Sequence, residues 1–121
     1  MSGISTDPIL VFVTDLYFTM RIDHIAESLG YLTETAEDLD GQPAALLLFD
    51  LDHPKIDWKQ IMRQARAEHS SYLEVPILAF GSHVRAENLL AARSAGADMA
   101  VAKSRFMKEM RLLFQRLLKS G

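Results

Sequence analysis

No cysteine occurs in the 121 residues, which excludes disulfides and thiolate metal centres alike. Such a chain suits a reducing cytoplasm, where it is expected to reside. Long apolar runs are missing too. The longest, ILVFV (9–13) and AALLLF (44–49), hold five and six residues, against the ~20 needed to span a bilayer. The opening MSGISTDP has neither a basic n-region nor an apolar h-region, so no export signal is expected. No repeat, low-complexity tract or linker divides the chain. One domain over residues 1–121 is therefore expected, with no separate output domain, and its length allows a core that needs no staples.

What is present begins with an uneven charge distribution. The net charge is −3, yet residues 1–60 carry eleven acids against three bases (Arg21, Lys55, Lys59). Residues 81–121 reverse this, with eight bases against three acids (Glu87, Asp98, Glu109). Lys103, Arg105, Lys108, Arg111, Arg116 and Lys119 belong to one C-terminal amphipathic segment. With an ordinary core stripe, no aromatic interleaving and an acidic chain overall, they read as a solvated helix face able to dock an acidic protein surface, not as a nucleic-acid site.

Short apolar runs alternate with helical patterns. Ile9–Val13 reads as a strand; Phe18, Ile22, Ile25 and Leu29 follow at helical spacing, stopped by Gly30. YLTETA (31–36) is a weaker strand, and ALLLFD (45–50) a strong one. Residues 57–69 are helical in composition, with Trp58, Ile61, Met62 and Ala65 on one stripe. VPILAF (75–80), the helix AENLLAARSAG (86–96), MAVA (99–102) and a last helix through Phe106, Met110, Leu113 and Leu117 complete the order. Alternating strands and helices with right-handed crossovers predict an α/β fold: a doubly wound, flavodoxin-like sheet of five parallel strands in the order 2-1-3-4-5. Between Gly30 and Asp50 there is room for a strand and a tight connection, so the second helix should be shortened or absent. That shortening should leave one sheet face partly uncovered, unless a plain loop fills the gap.

Ligands of such sheets gather beyond the carboxyl ends of the strands. Those ends carry Thr14 and Asp15, then Asp50 and Asp52, then Gly81 and Ser82, and finally Lys103. On residue chemistry alone, Asp50 pairs with Lys103. Asp52 and His53 lack a second histidine at matching spacing for a transition metal. The loop VTDLYFT (13–19) has bulky Leu16, Tyr17 and Phe18 and no glycine, which rejects a flavin-phosphate loop. No nucleophile with a neighbouring base is visible, so an enzyme is not expected.

With these segments in order, the chain resembles the receiver domain of two-component response regulators. LLLFDLDHP (46–54) resembles the phosphoacceptor strand, with Asp50 as acceptor and Pro54 four residues on. VPILAFGSH (75–83) resembles the fourth strand, and SAGADMAVAKSRF (94–106) the fifth strand with its lysine, Lys103. The resemblance implies a phosphoryl group received on Asp50 from a histidine kinase, a Mg²⁺ ion held by carboxylates, and a lysine and a hydroxyl that bind the phosphoryl oxygens. It assigns Asp15, Asp50 and, through its backbone carbonyl, Asp52 to a weak metal site, if any, and Ser82 to the hydroxyl.

Several working groups depart from that pattern. Val13 and Thr14 stand where the family has an acidic pair, and Gly81 where it has the hydroxyl, with Ser82 one residue late. Ala100 replaces the switching aromatic, and Ser104 the proline after the lysine. The expectation is therefore a degenerate receiver, or pseudo-receiver, with no firmly held cofactor. It would act through contacts of its last strand and helices (Arg105, Lys108, Arg111) with signalling proteins, without nucleic acid or membrane. A homodimer through the last helix is allowed by the pattern. The alternative is a working Mg²⁺-dependent phosphoacceptor using Asp50, Lys103, Asp15 and Ser82.

Overall fold

In the computed structural model, which describes residues 7–118, the strands are uninterrupted apolar runs because both faces of the sheet are covered. The strands are β1 (Ile9–Phe12), β2 (Thr33–Thr35), β3 (Leu46–Asp50), β4 (Ile77–Gly81) and β5 (Met99–Ala102). All neighbours are parallel and the order is β2-β1-β3-β4-β5, as the alternation of elements predicts. Only the edge strand β2, Thr-Glu-Thr, is polar, since one of its sides has no neighbour.

Successive side chains divide between two cores. Leu10, Phe12, Leu47, Phe49, Ile77, Ala79 and Ala100 face α2 (Trp58–Ala65) and α3 (Ala86–Ala95). Ile9, Val11, Leu46, Leu48, Leu78, Phe80 and Val101 face α1 (Leu16–Ser28) and α4 (Lys103–Leu118). The fold is thus α/β and doubly wound, with four helices. The one missing from a five-helix arrangement lies between β2 and β3, as the short Gly30–Asp50 spacing indicates.

Two details differ from the sequence reading and a third adds to it. The face beside β1 and β3 is not left open: Ala36 and Leu39 pack against it, and Leu10, Phe12, Leu47 and Phe49 are fully buried. Tyr72 secures this irregular cover, its hydroxyl accepting from the Gly41 N–H at 2.9 Å and donating to the Gln42 carbonyl at 2.8 Å. Secondly, α2 stops at Ala65 and not at His69, which has a left-handed φ of 74°. The Arg66 side chain takes over there, donating to the carbonyls of Gly96, Tyr72, Leu73 and Val75. Thirdly, the last helix begins at Lys103 itself, directly after β5. A proline at 104 would bias its predecessor away from helical backbone; Ser104 lifts that restriction. The helix then bends at Glu109 (φ −115°, ψ 22°).

Candidate functional site

The carboxyl ends of β1, β3, β4 and β5 bring Asp15, Asp50, Ser82 and Lys103 to one edge of the sheet. Asp50 closes β3, in phase with Leu46 and Leu48 and in register with Phe80, so its side chain lies on the α1/α4 side. It is only 7% exposed. The Asp52 N–H donates to Asp50 Oδ1 at 2.8 Å, and the His53 N–H to the Asp50 carbonyl at 3.1 Å. Burial pushes the Asp50 carboxyl above the ordinary carboxylate range, outweighing the Asp52 N–H and the positive charge of Lys103, both of which pull it down.

Lys103 is near enough to act on Asp50 through space but does not pair with it. Among the described residues no Lys103–Asp50 approach falls within 4.0 Å, contrary to the ion pair expected from the sequence. Its ammonium instead lies over the Phe18 ring, 5.1 Å from the centroid. Phe18 meets Phe80 edge-on at 5.8 Å, Phe80 stacks on Phe106 at 4.3 Å, and Phe106 leans on Phe114 at 6.2 Å. This ladder of rings fixes where the lysine can rest. Because α4 starts at Lys103, the side chain leaves from a first helical turn and lies back over the neighbouring helix.

The remaining groups are engaged elsewhere. Asp15 caps α1, accepting from the Phe18 N–H at 3.0 Å, and is exposed. Ser82 Oγ accepts from the Val84 N–H at 3.2 Å. The Asp52 carboxylate crosses to the β4–α3 loop: its Oδ2 accepts from the Ser82 N–H at 3.1 Å, and its Oδ1 lies 4.0 Å from the Arg85 guanidinium. His53 is buried and accepts from the Lys55 N–H through Nδ1 at 3.0 Å, a structural loop contact. At Gly81 an added Cβ would stand 3.1 Å from Leu51 Cβ and 3.3 Å from Leu51 Cδ1, so leucine fills the place where a hydroxyl-bearing side chain would project. Ala100 is buried under α2 and α3 with its carbonyl bound by Arg93 at 2.8 Å. Arg85 and Phe18 were missed as site residues. Nothing in the sequence singles out Arg85, whereas Phe18 reads only as one more residue of a core stripe.

No family model matches the chain and no curated protein is similar to it in sequence. Solved structures match its fold. The signal receiver domain of the DNA-binding response regulator merR from Colwellia psychrerythraea 34H aligns with a TM-score of 0.79 and 15% identity, over 94% of this chain and 99% of that one. The phosphorylated cyanobacterial phytochrome response regulator RcpA aligns with 0.78 and 11%, over 97% of both chains. The receiver domain of the sensor histidine kinase PA1611 from Pseudomonas aeruginosa PAO1, with magnesium in its active-site cleft, aligns with 0.74 and 22%, over 96% of this chain and 100% of that one. The fold is that of response-regulator receiver domains.

A magnesium ion of the kind held by the PA1611 domain would meet few carboxylates here beyond Asp50. Magnesium needs oxygen ligands, usually one or two carboxylates among them. Val13 and Thr14 offer none, Asp15 is turned to the α1 amide, and the Asp52 carboxylate faces Ser82 and Arg85. Among the described residues no three His, Asp or Glu side chains form a group that could hold a metal ion. Of the residues put forward for the metal, Asp15 is exposed at the start of α1 and Asp50 is buried at the end of β3. Of the C-terminal basic residues, Arg105 pairs with Glu109 at 3.2 Å while Lys108 and Arg111 are exposed; Lys119 lies outside the described residues. Among the described residues no helix is long and apolar enough to cross a membrane.

Proposed function

We propose that this chain is a single receiver-like signalling domain of the two-component type that works in the cytoplasm by protein–protein contact, with little or no phosphoryl transfer to Asp50. The observation that carries the reading is the setting of Asp50: a buried carboxyl whose lysine rests on Phe18 and not on it, with no group of three His, Asp or Glu side chains among the described residues to hold a metal. Removing a single preorganised electrostatic group from a phosphoryl-transfer centre lowers the rate by ~10²–10³. Gly81 and Ala100 further leave no hydroxyl-to-aromatic relay by which a phosphoryl group could be read out. The contact surface we assign is the last strand and helix, where Arg105, Lys108 and Arg111 suit an acidic face of a signalling protein. Neither nucleic acid nor membrane is part of this reading, and neither is enzymatic activity.

Incubation with a small-molecule phosphodonor and Mg²⁺, followed by intact-mass measurement, tests it. The expected result is an unchanged mass. A stoichiometric gain of one phosphoryl group that disappears in Asp50→Asn would establish the second reading, a working phosphoacceptor served by a histidine kinase. That reading is favoured by the through-space influence of Lys103 on Asp50.

A further inference from the structure

Two loops at the carboxyl edge of the sheet, β3–α2 and β4–α3, are joined by one side chain. Asp52 leaves the first loop and its carboxylate takes the second at two points, the Ser82 N–H at 3.1 Å and the Arg85 guanidinium at 4.0 Å. The side chain is about one-quarter exposed, that of Arg85 two-thirds. Beneath this contact the two chain segments are already in register: the Leu51 N–H donates to the Phe80 carbonyl at 2.8 Å, and Leu51 packs under Gly81. The Asp52 N–H donates to Asp50 Oδ1 at 2.8 Å. Asp52 is therefore the hinge pin between Asp50 and the β4–α3 loop, which carries the exposed His83 and Val84 and leads into α3 with exposed Leu90.

We propose that the Asp52 carboxylate is a permanent internal latch, holding the β4–α3 loop against the β3–α2 loop so that the surface from Ser82 to Leu90 keeps one conformation without any group being added at Asp50. The Asp52 carboxylate accepts the loop's N–H and faces its cation. The chain supplies this anion itself, two residues beyond Asp50. The geometry uses both carboxylate oxygens, one on each partner, so the charge as well as the acceptor matters. The latch stands whether or not Asp50 takes a phosphoryl group, so it is separate from the functional reading above.

Amide hydrogen exchange on the unmodified protein, with no phosphodonor present, tests the latch. In Asp52→Ala the Ser82 amide should exchange about tenfold faster or more, as expected for loss of a charge-assisted hydrogen bond, and Val84 and Arg85 should follow. Asp52→Asn keeps an acceptor and should loosen the loop less; Arg85→Gln, which leaves the Ser82 bond in place, should loosen it least. Asp50→Asn keeps the oxygen that accepts from Asp52 and should leave Ser82 unchanged. The Phe80 and Ile77 amides, within the sheet, report whether each variant is folded. If the Ser82 amide keeps its native rate in both Asp52→Ala and Asp52→Asn, or if Asp50→Asn loosens it as much as Asp52→Ala, the latch is overturned.

Discussion

At the scale of single residues, Asp50 shows how a position sets the properties of a side chain. The same apolar run that identifies β3 also removes its terminal carboxylate from water, and the desolvation favours the protonated acid. The folded chain therefore holds this proton to higher pH than the unfolded chain. In acid both states are protonated and Asp50 is neutral in its effect. As pH rises past the unfolded carboxylate range and then through the raised folded value, the unfolded state gains relative stability, and the fold is weakened by the buried charge. Asp50→Asn, whose amide oxygen still accepts from the Asp52 N–H, should accordingly be more stable than the native chain at neutral pH, with the difference vanishing on acidification. Urea midpoints across a pH series measure this, and a less stable variant at neutral pH would show that Lys103 more than offsets the burial. That Asp50 and Lys103 come to the same edge of the sheet was readable in the sequence, because each ends an apolar run where strands deliver their residues. Their separation was not. It depends on the ring of Phe18, a helix residue whose placement follows from how α1 packs on Phe80.

Among the elements, α4 has its start set by what it lacks. Residues preceding proline avoid helical backbone, and with Ser104 in the following position Lys103 is free to open the helix. Ser104→Pro should push Lys103 back to extended backbone and lift its ammonium from the Phe18 ring, while costing less than about 1 kcal/mol because proline is accepted in a first turn. In carbon–proton correlation spectra the ring-shifted Lys103 side-chain resonances should move towards their random-coil positions; resonances that stay put would mean the lysine is held by something other than the helix start. The five strands, their order and the missing helix were legible from alternation and spacing. The cover over β1 and β3 was not, since Ala36 and Leu39 are too few to show a period and Tyr72 reaches them from thirty residues away in sequence. The early stop of α2 was hidden for a related reason: composition favours helix to His69, but the carbonyls that recruit Arg66 come from the following turns and from the α3–β5 connection.

For the molecule as a whole, Arg66 ties parts that no secondary-structure ladder connects. Its guanidinium binds four carbonyls and reaches Asp98 Oδ2 at 2.9 Å, the same oxygen that accepts from the Ile77 N–H at 2.8 Å. The end of α2, the segment before β4 and the turn into β5 thus share one planar cation, and Gly96 is confined beside it: an added Cβ would lie 2.5 Å from Arg66 Cγ. Arg66→Lys keeps the charge but not the fork, and should lower stability by about 2 kcal/mol, read as a shift in urea midpoint without a change in slope. A variant as stable as the native chain would assign the clamp no energetic role. The clamp sits at the far end of the sheet from Asp50, so such a loss should leave the Ser82 amide as it was. The only tryptophan, Trp58, lies at the Asp50 end: it is 8% exposed, and its indole N–H donates to the Leu51 carbonyl at 3.0 Å, one residue beyond Asp50. The chain therefore carries its own optical probe, and the emission wavelength of that one fluorophore will register any rearrangement of the β3–α2 loop without a label being attached.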